Sequence, residues 1–77
     1  MNMGTLIARW ESRGGAHVAE LHKAEGSGFY YRGTDCGGYL GNDVTLERAI
    51  EIMEERCAPG AGFFQPDNNK SPMRRVK

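Results

Sequence analysis

Residues 6–21, Leu6-Ile7-Ala8-Arg9-Trp10-Glu11-Ser12-Arg13-Gly14-Gly15-Ala16-His17-Val18-Ala19-Glu20-Leu21, read as two β-strands folded back on each other. From Leu6 to Arg13 the side chains alternate. Leu6, Ala8, Trp10 and Ser12 share one side and Ile7, Arg9, Glu11 and Arg13 the other, which is the period of a strand buried on one face. Gly14-Gly15 tolerates the positive φ angles of a tight hairpin turn. With those two residues as the loop, Arg13 pairs with Ala16, Glu11 with Val18, Trp10 with Ala19, Arg9 with Glu20 and Ala8 with Leu21. This register gathers Trp10, Ala8, Ala19 and Leu21 on one face and sets Arg9 opposite Glu20 on the other, where opposite charges favour the pair.

Working outward, Ala24 to Gly28 is a flexible connection, and Phe29 to Thr34 is a third strand rich in aromatic residues. Extending the register sets Leu21 opposite Tyr31 and Glu20 opposite Arg32, so Glu20 is expected between two arginines. Thr34 to Gly38 is a second turn, and Tyr39-Leu40 makes a short fourth strand. Thr45 caps a helix in which Leu46, Ala49, Ile50, Met53 and Cys57 form one apolar stripe, with Ile52 at its flank. Ala58-Pro59-Gly60 ends it. Gly62 to Gln65 is a candidate returning strand, Pro66 to Asn69 a turn, and residues 70–77 a basic end, either a short edge strand or a mobile tail. Residues 1–77 therefore make one small α+β domain, an antiparallel β-sheet of three to five strands with one α-helix packed on one face.

A chain of 77 residues has room for one core. Leu, Ile, Val and Phe number only 13, a share that would suggest disorder if net charge were high, but the charge is zero. A thin core helped by Trp10 and the tyrosines is expected, with modest stability. No apolar run approaches the roughly 18 residues of a membrane span, and the start lacks a secretory pattern, so a soluble cytoplasmic protein is expected. Cys36 and Cys57 form no C-x-x-C pair and read as free thiols, Cys57 as a small buried hydrophobe.

Charge is uneven along the chain: residues 1–46 sum to −1, 47–57 to −2 and 58–77 to +3. Glu47, Glu51, Glu54 and Glu55 fall within roughly 100° of the helical projection, opposite the apolar stripe. Like charges at i, i+4 oppose the helix. This acidic ridge is therefore expected to dock on a basic, DNA-handling surface of a partner protein. Tyr30 and Arg32, on the exposed sheet face, resemble interface anchors. The basic residues Lys70, Arg74, Arg75 and Lys77, with Phe29, Tyr30 and Tyr31, suggest a single-strand nucleic-acid binder as an alternative, against which the pI of about 6.7 argues.

No catalytic residue, metal ligand or cofactor site emerges, and an enzyme is not expected. His17 and His22 are five apart on an expected strand and so point to opposite faces. Gly26-Ser27-Gly28 precedes a strand, not the helix start that makes a glycine loop bind phosphate. Asn69-Lys70-Ser71 is a formal glycosylation sequon.

The plan as a whole, with its glycine-turned sheet and single acidic-faced helix, resembles the small phage-encoded anti-CRISPR proteins that inhibit type I effector complexes. That resemblance implies stoichiometric inhibition inside a bacterial host cell. The protein would dock on a CRISPR surveillance complex and block target DNA, with no cofactor and no membrane. Asp35-Cys36-Gly37 and Gly41-Asn42-Asp43-Val44-Thr45-Leu46-Glu47-Arg48-Ala49-Ile50 are similar to the run entering the helix of HicB-type antitoxins, which implies a toxin as partner.

Overall fold

The computed structural model describes residues 4–34, 36–58, 64 and 73–77. Strands β1 (Thr5–Glu11), β2 (Val18–Lys23), β3 (Phe29–Gly33) and β4 (Gly37–Gly41) form an antiparallel meander, followed by helix α1 (Leu46–Cys57) and a short strand β5 (Arg74–Arg75). The sheet order is β4-β3-β2-β1-β5, every pair antiparallel. This is the expected α+β fold, with α1 packed chiefly on β2.

The register of the first two strands is the one the alternation dictates: Ala8 faces Leu21, Arg9 Glu20, Trp10 Ala19 and Glu11 Val18. It breaks at one place. Leu6 pairs with His22 while Ala8 pairs with Leu21, so Ile7 is an inserted residue. Such a bulge inverts the alternation beyond it. Leu6 therefore joins the outer face with His22, and Ile7, expected outside, packs against the core.

The first hairpin turn is also wider than expected. A 3-10 turn at Arg13–Gly15 replaces the two-residue loop, Gly14 and Gly15 take φ values of 79° and 76°, and the Ser12 amide donates to the His17 carbonyl at 2.9 Å. Arg13 and Ala16 are thus turn residues, not a strand pair. His17 lies before β2, so the two histidines do not share a strand.

The core lies between sheet and helix: Ala8, Trp10, Ala19, Leu21 and Phe29 from the sheet meet Ala49, Met53 and Cys57 from α1, with Phe64 and Met73. Leu21 and Met53 are wholly buried. Each contributes roughly 1.5–3 kcal/mol relative to an exposed side chain. Thr45 caps α1 as expected, its hydroxyl accepting from the Arg48 amide at 3.1 Å. Leu46 departs from the expected stripe, being 45 % exposed at the first helical position.

The fourth strand is longer than expected. A Gly33 amide donating to the Cys36 carbonyl at 2.6 Å closes the hairpin early, so pairing begins at Gly37. Gly38 has a specific use, because any Cβ there would crowd the Tyr31 ring, which lies over it. The open question of the basic end is answered by β5, where Arg75 pairs with Trp10 and Arg74 with Glu11. Of the expected strand Gly62 to Gln65, only Phe64 is among the described residues, as a buried bend. The turn Pro66 to Asn69 and the sequon lie outside them.

Candidate binding surfaces

One helix covers one face of the sheet, and strand alternation sends every second side chain to the other face. Arg9, Glu20, His22, Tyr30, Arg32 and Tyr39 share that outer face through the pairs Arg9–Glu20, Glu20–Arg32, His22–Tyr30 and Tyr30–Tyr39.

A polar chain runs across its centre. Arg9 Nε donates to Glu11 Oε2 at 2.8 Å, Arg9 Nη1 to Glu20 Oε2, and His22 Nε2 lies 2.9 Å from Glu20 Oε1. The bond from His22, then the charge and bonding of Arg9, hold the Glu20 carboxyl below its usual range against the opposing effect of burial. His22 is fixed from its side too, stacked on Tyr30 with ring centroids 4.9 Å apart and planes 9° apart. Tyr30, an expected anchor, is thus stacked on a histidine that Glu20 also holds.

Arg32, the other expected anchor, is exposed. It faces Glu20 in register, yet both Glu20 oxygens are taken by Arg9 and His22, and Arg32 makes no ion pair among the described residues. The expected Arg9–Glu20–Arg32 sandwich is thus half formed. Arg32 borders a hollow of about 380 Å³ with Arg9, Val18, Glu20 and Thr34.

The four expected ridge glutamates, Glu47, Glu51, Glu54 and Glu55, are all exposed on α1, on the opposite side of the molecule from the open sheet face. The ridge carries its own counter-charge. Arg48 Nη1 lies 2.6 Å from Glu51 and 3.7 Å from Glu55. Glu54 borders a different hollow, with Trp10, Cys57, Met73 and Arg75. Burial, aided by the Glu54 charge, pushes the Cys57 thiol up to about 12.

Sequence reasoning weighed His22 only as a metal ligand and passed over Tyr39 and Arg48. The His22 stack was implicit in pairing Leu21 with Tyr31, since the next rung is His22–Tyr30. Arg48 sits one and two helical turns before its glutamates. Tyr39 had no such signal, because its partner depends on where the second turn closes. Among the described residues no three His, Cys, Asp or Glu are grouped to hold a metal ion, and no helix is long and apolar enough to cross a membrane. Both described cysteines are free thiols. In comparisons with known proteins, no family model, no curated protein and no solved structure matches the chain.

Proposed function

We propose that this chain is a non-enzymatic protein-binding inhibitor that docks through its open sheet face and turns its acidic helix outward. The observation that carries this is the presence on one open face of an aromatic stack, Tyr30 on His22, and an exposed arginine, Arg32, that has no ion-pair partner among the described residues. Tyrosine and arginine are among the residue types that dominate binding energy at protein contacts. Arg32 selects a carboxylate on the partner, and Tyr30 supplies apolar area. Nucleic acid fits the face less well, because Glu11 and Glu20 lie across its centre and occupy Arg9.

Docked this way, the chain presents Glu47, Glu51, Glu54 and Glu55 away from the contact. A negative surface lowers the local concentration of other polyanions. Seated beside a nucleic-acid channel, it would repel incoming phosphate, which is how a small anti-CRISPR protein of the kind it resembles would block DNA from a type I effector complex.

The test is affinity purification from a bacterial host with mass spectrometry, using wild type, Tyr30→Ala/Arg32→Glu, and Glu47→Lys/Glu51→Lys/Glu55→Lys. The expected result is a protein complex retained by wild type and the lysine variant and lost with the sheet variant, while the lysine variant no longer blocks DNA binding by that complex. Loss of the complex with the lysine variant alone would assign docking to the ridge. Binding of free oligonucleotides with a steep salt dependence would assign the chain to the nucleic-acid binders.

A further inference from the structure

Seven arginines are spread along the chain, and most are engaged. Arg9 and Arg48 hold carboxylates, while Arg56 and Arg75 lie over the rings of Tyr31 and Trp10. Arg32 belongs to the docking face. The two that are left, Arg13 and Arg74, come from opposite ends of the sequence, yet both line one hollow of about 550 Å³ where the first hairpin turn meets β5. Both are exposed, and neither makes an ion pair among the described residues. We infer that this hollow is a binding site for a small phosphate monoester that carries hydroxyl groups, a sugar phosphate or a nucleoside monophosphate.

Both arginines stand on backbone that is tied down. Buried Ser12 anchors the turn: its amide donates to the His17 carbonyl at 2.9 Å, its carbonyl accepts from the Gly15 amide at 2.8 Å, and its hydroxyl accepts from the His17 amide at 2.9 Å. On the other side the Val76 amide donates to the Arg9 carbonyl at 2.8 Å, and Arg74 is set opposite Glu11 in the ladder. Only the side chains have to be ordered when a ligand binds, which limits the entropy lost.

Charge and room select the ligand. Glu11 also lines the hollow, but its Oε2 accepts from Arg9 Nε at 2.8 Å, so Arg9 offsets its charge. Two guanidinium groups remain without a counter-ion. Each presents paired N–H donors that match the oxygens of a carboxylate or a phosphate. A phosphate monoester carries close to two negative charges at neutral pH and so answers both arginines at once, where a single carboxylate or a phosphodiester brings one. The hollow is larger than a bare phosphate and falls within the range of about 300–1,000 Å³ typical of small-molecule sites. Gly14 and Gly15 leave the approach over the turn free of side chains, and Val76 supplies an apolar wall. Glu11 Oε1, the oxygen that Arg9 does not take, lies toward Gly15 and can accept from a ligand hydroxyl. Arg13 and Arg74 take no part in the His22–Tyr30 stack or in the hollow beside Arg32, so this site stands apart from the docking role proposed above.

Titration of the nitrogen-labelled full chain with ribose phosphate, AMP, inorganic phosphate and succinate, followed by NMR, tests this without any protein partner. Ribose phosphate or AMP is expected to give saturable shifts at the Arg13, Gly14, Gly15 and Arg74 amides, with inorganic phosphate and succinate binding more weakly. Tighter binding of AMP than of ribose phosphate assigns a nucleotide, and equal binding a sugar phosphate. Arg13→Gln and Arg74→Gln are each expected to weaken binding roughly tenfold, as for loss of a charged hydrogen bond. Shifts that do not saturate, shifts centred on other residues, or succinate binding as tightly as ribose phosphate overturn the proposal. The wild-type titration decides this even if a variant misfolds.

Discussion

The two faces of the sheet come from the same strands in alternation, yet they are held by different physics. On the covered face Ala8, Trp10, Ala19 and Leu21 are almost wholly buried under α1, and the cations near it lie over rings: Arg75 is 5.8 Å from the Trp10 centroid and Arg56 is 5.1 Å from that of Tyr31. On the open face Arg9, Glu11, Glu20 and His22 are joined by hydrogen bonds, with Tyr30 stacked at the end of the chain. The covered face is held by apolar area, which is indifferent to direction. The open face is held by directed polar contacts, each at water's edge and each weak. One face fixes stability and the other contributes little to it.

The largest effect that would break this contrast is on the covered face. Trp10→Ala should cost about 3 to 5 kcal/mol, as for emptying a large aromatic site, measured by urea unfolding. Tyr30→Ala should cost about 1 kcal/mol, the scale of one aromatic stack. Equal losses from the two would mean that both faces are core. Thr45→Ala, which removes the cap of the covering helix, should also cost about 1 kcal/mol, seen as a lower midpoint with an unchanged m-value.

Smaller effects sharpen the comparison through pH. The Glu20 carboxyl is held below its usual value near 4.5, so its ionised form favours the fold. That contribution is complete above the ordinary carboxylate value and is lost as pH falls through the lower folded one. Glu20→Gln should therefore lose stability less steeply than wild type on acidification below pH 4.5. Cys57 tests the other face: with its thiol pushed up to about 12 and 4 % exposed, it should react with a thiol reagent far more slowly than Cys36 until the protein unfolds. Its stabilising effect is complete below its ordinary value of 9.0 and is lost as pH rises from there toward 12.

The amino-acid sequence alone determined what depends on neighbours a few residues apart. The period of two set the pairing of Trp10 with Ala19 and Leu21 with Tyr31, and with it the placing of Tyr30 and Arg32 on the outer face. The 3–4 spacing and Thr45 set the helix. Alternation only counts residues, so it does not register an inserted one. The bulge at Ile7, which exchanges the faces of Leu6 and Ile7, was decided by how the strand meets its partner and the core. Register likewise names which residues are opposite without saying which bonds form. Glu20 has two oxygens, and the fold gave them to Arg9 and His22, leaving Arg32 without that partner. The position of β5 beside β1 was the least legible of all, because it joins residues more than 60 apart. Local pattern carries no information about so long a closure, and only the completed sheet and helix define the edge on which Arg74 and Arg75 come to rest.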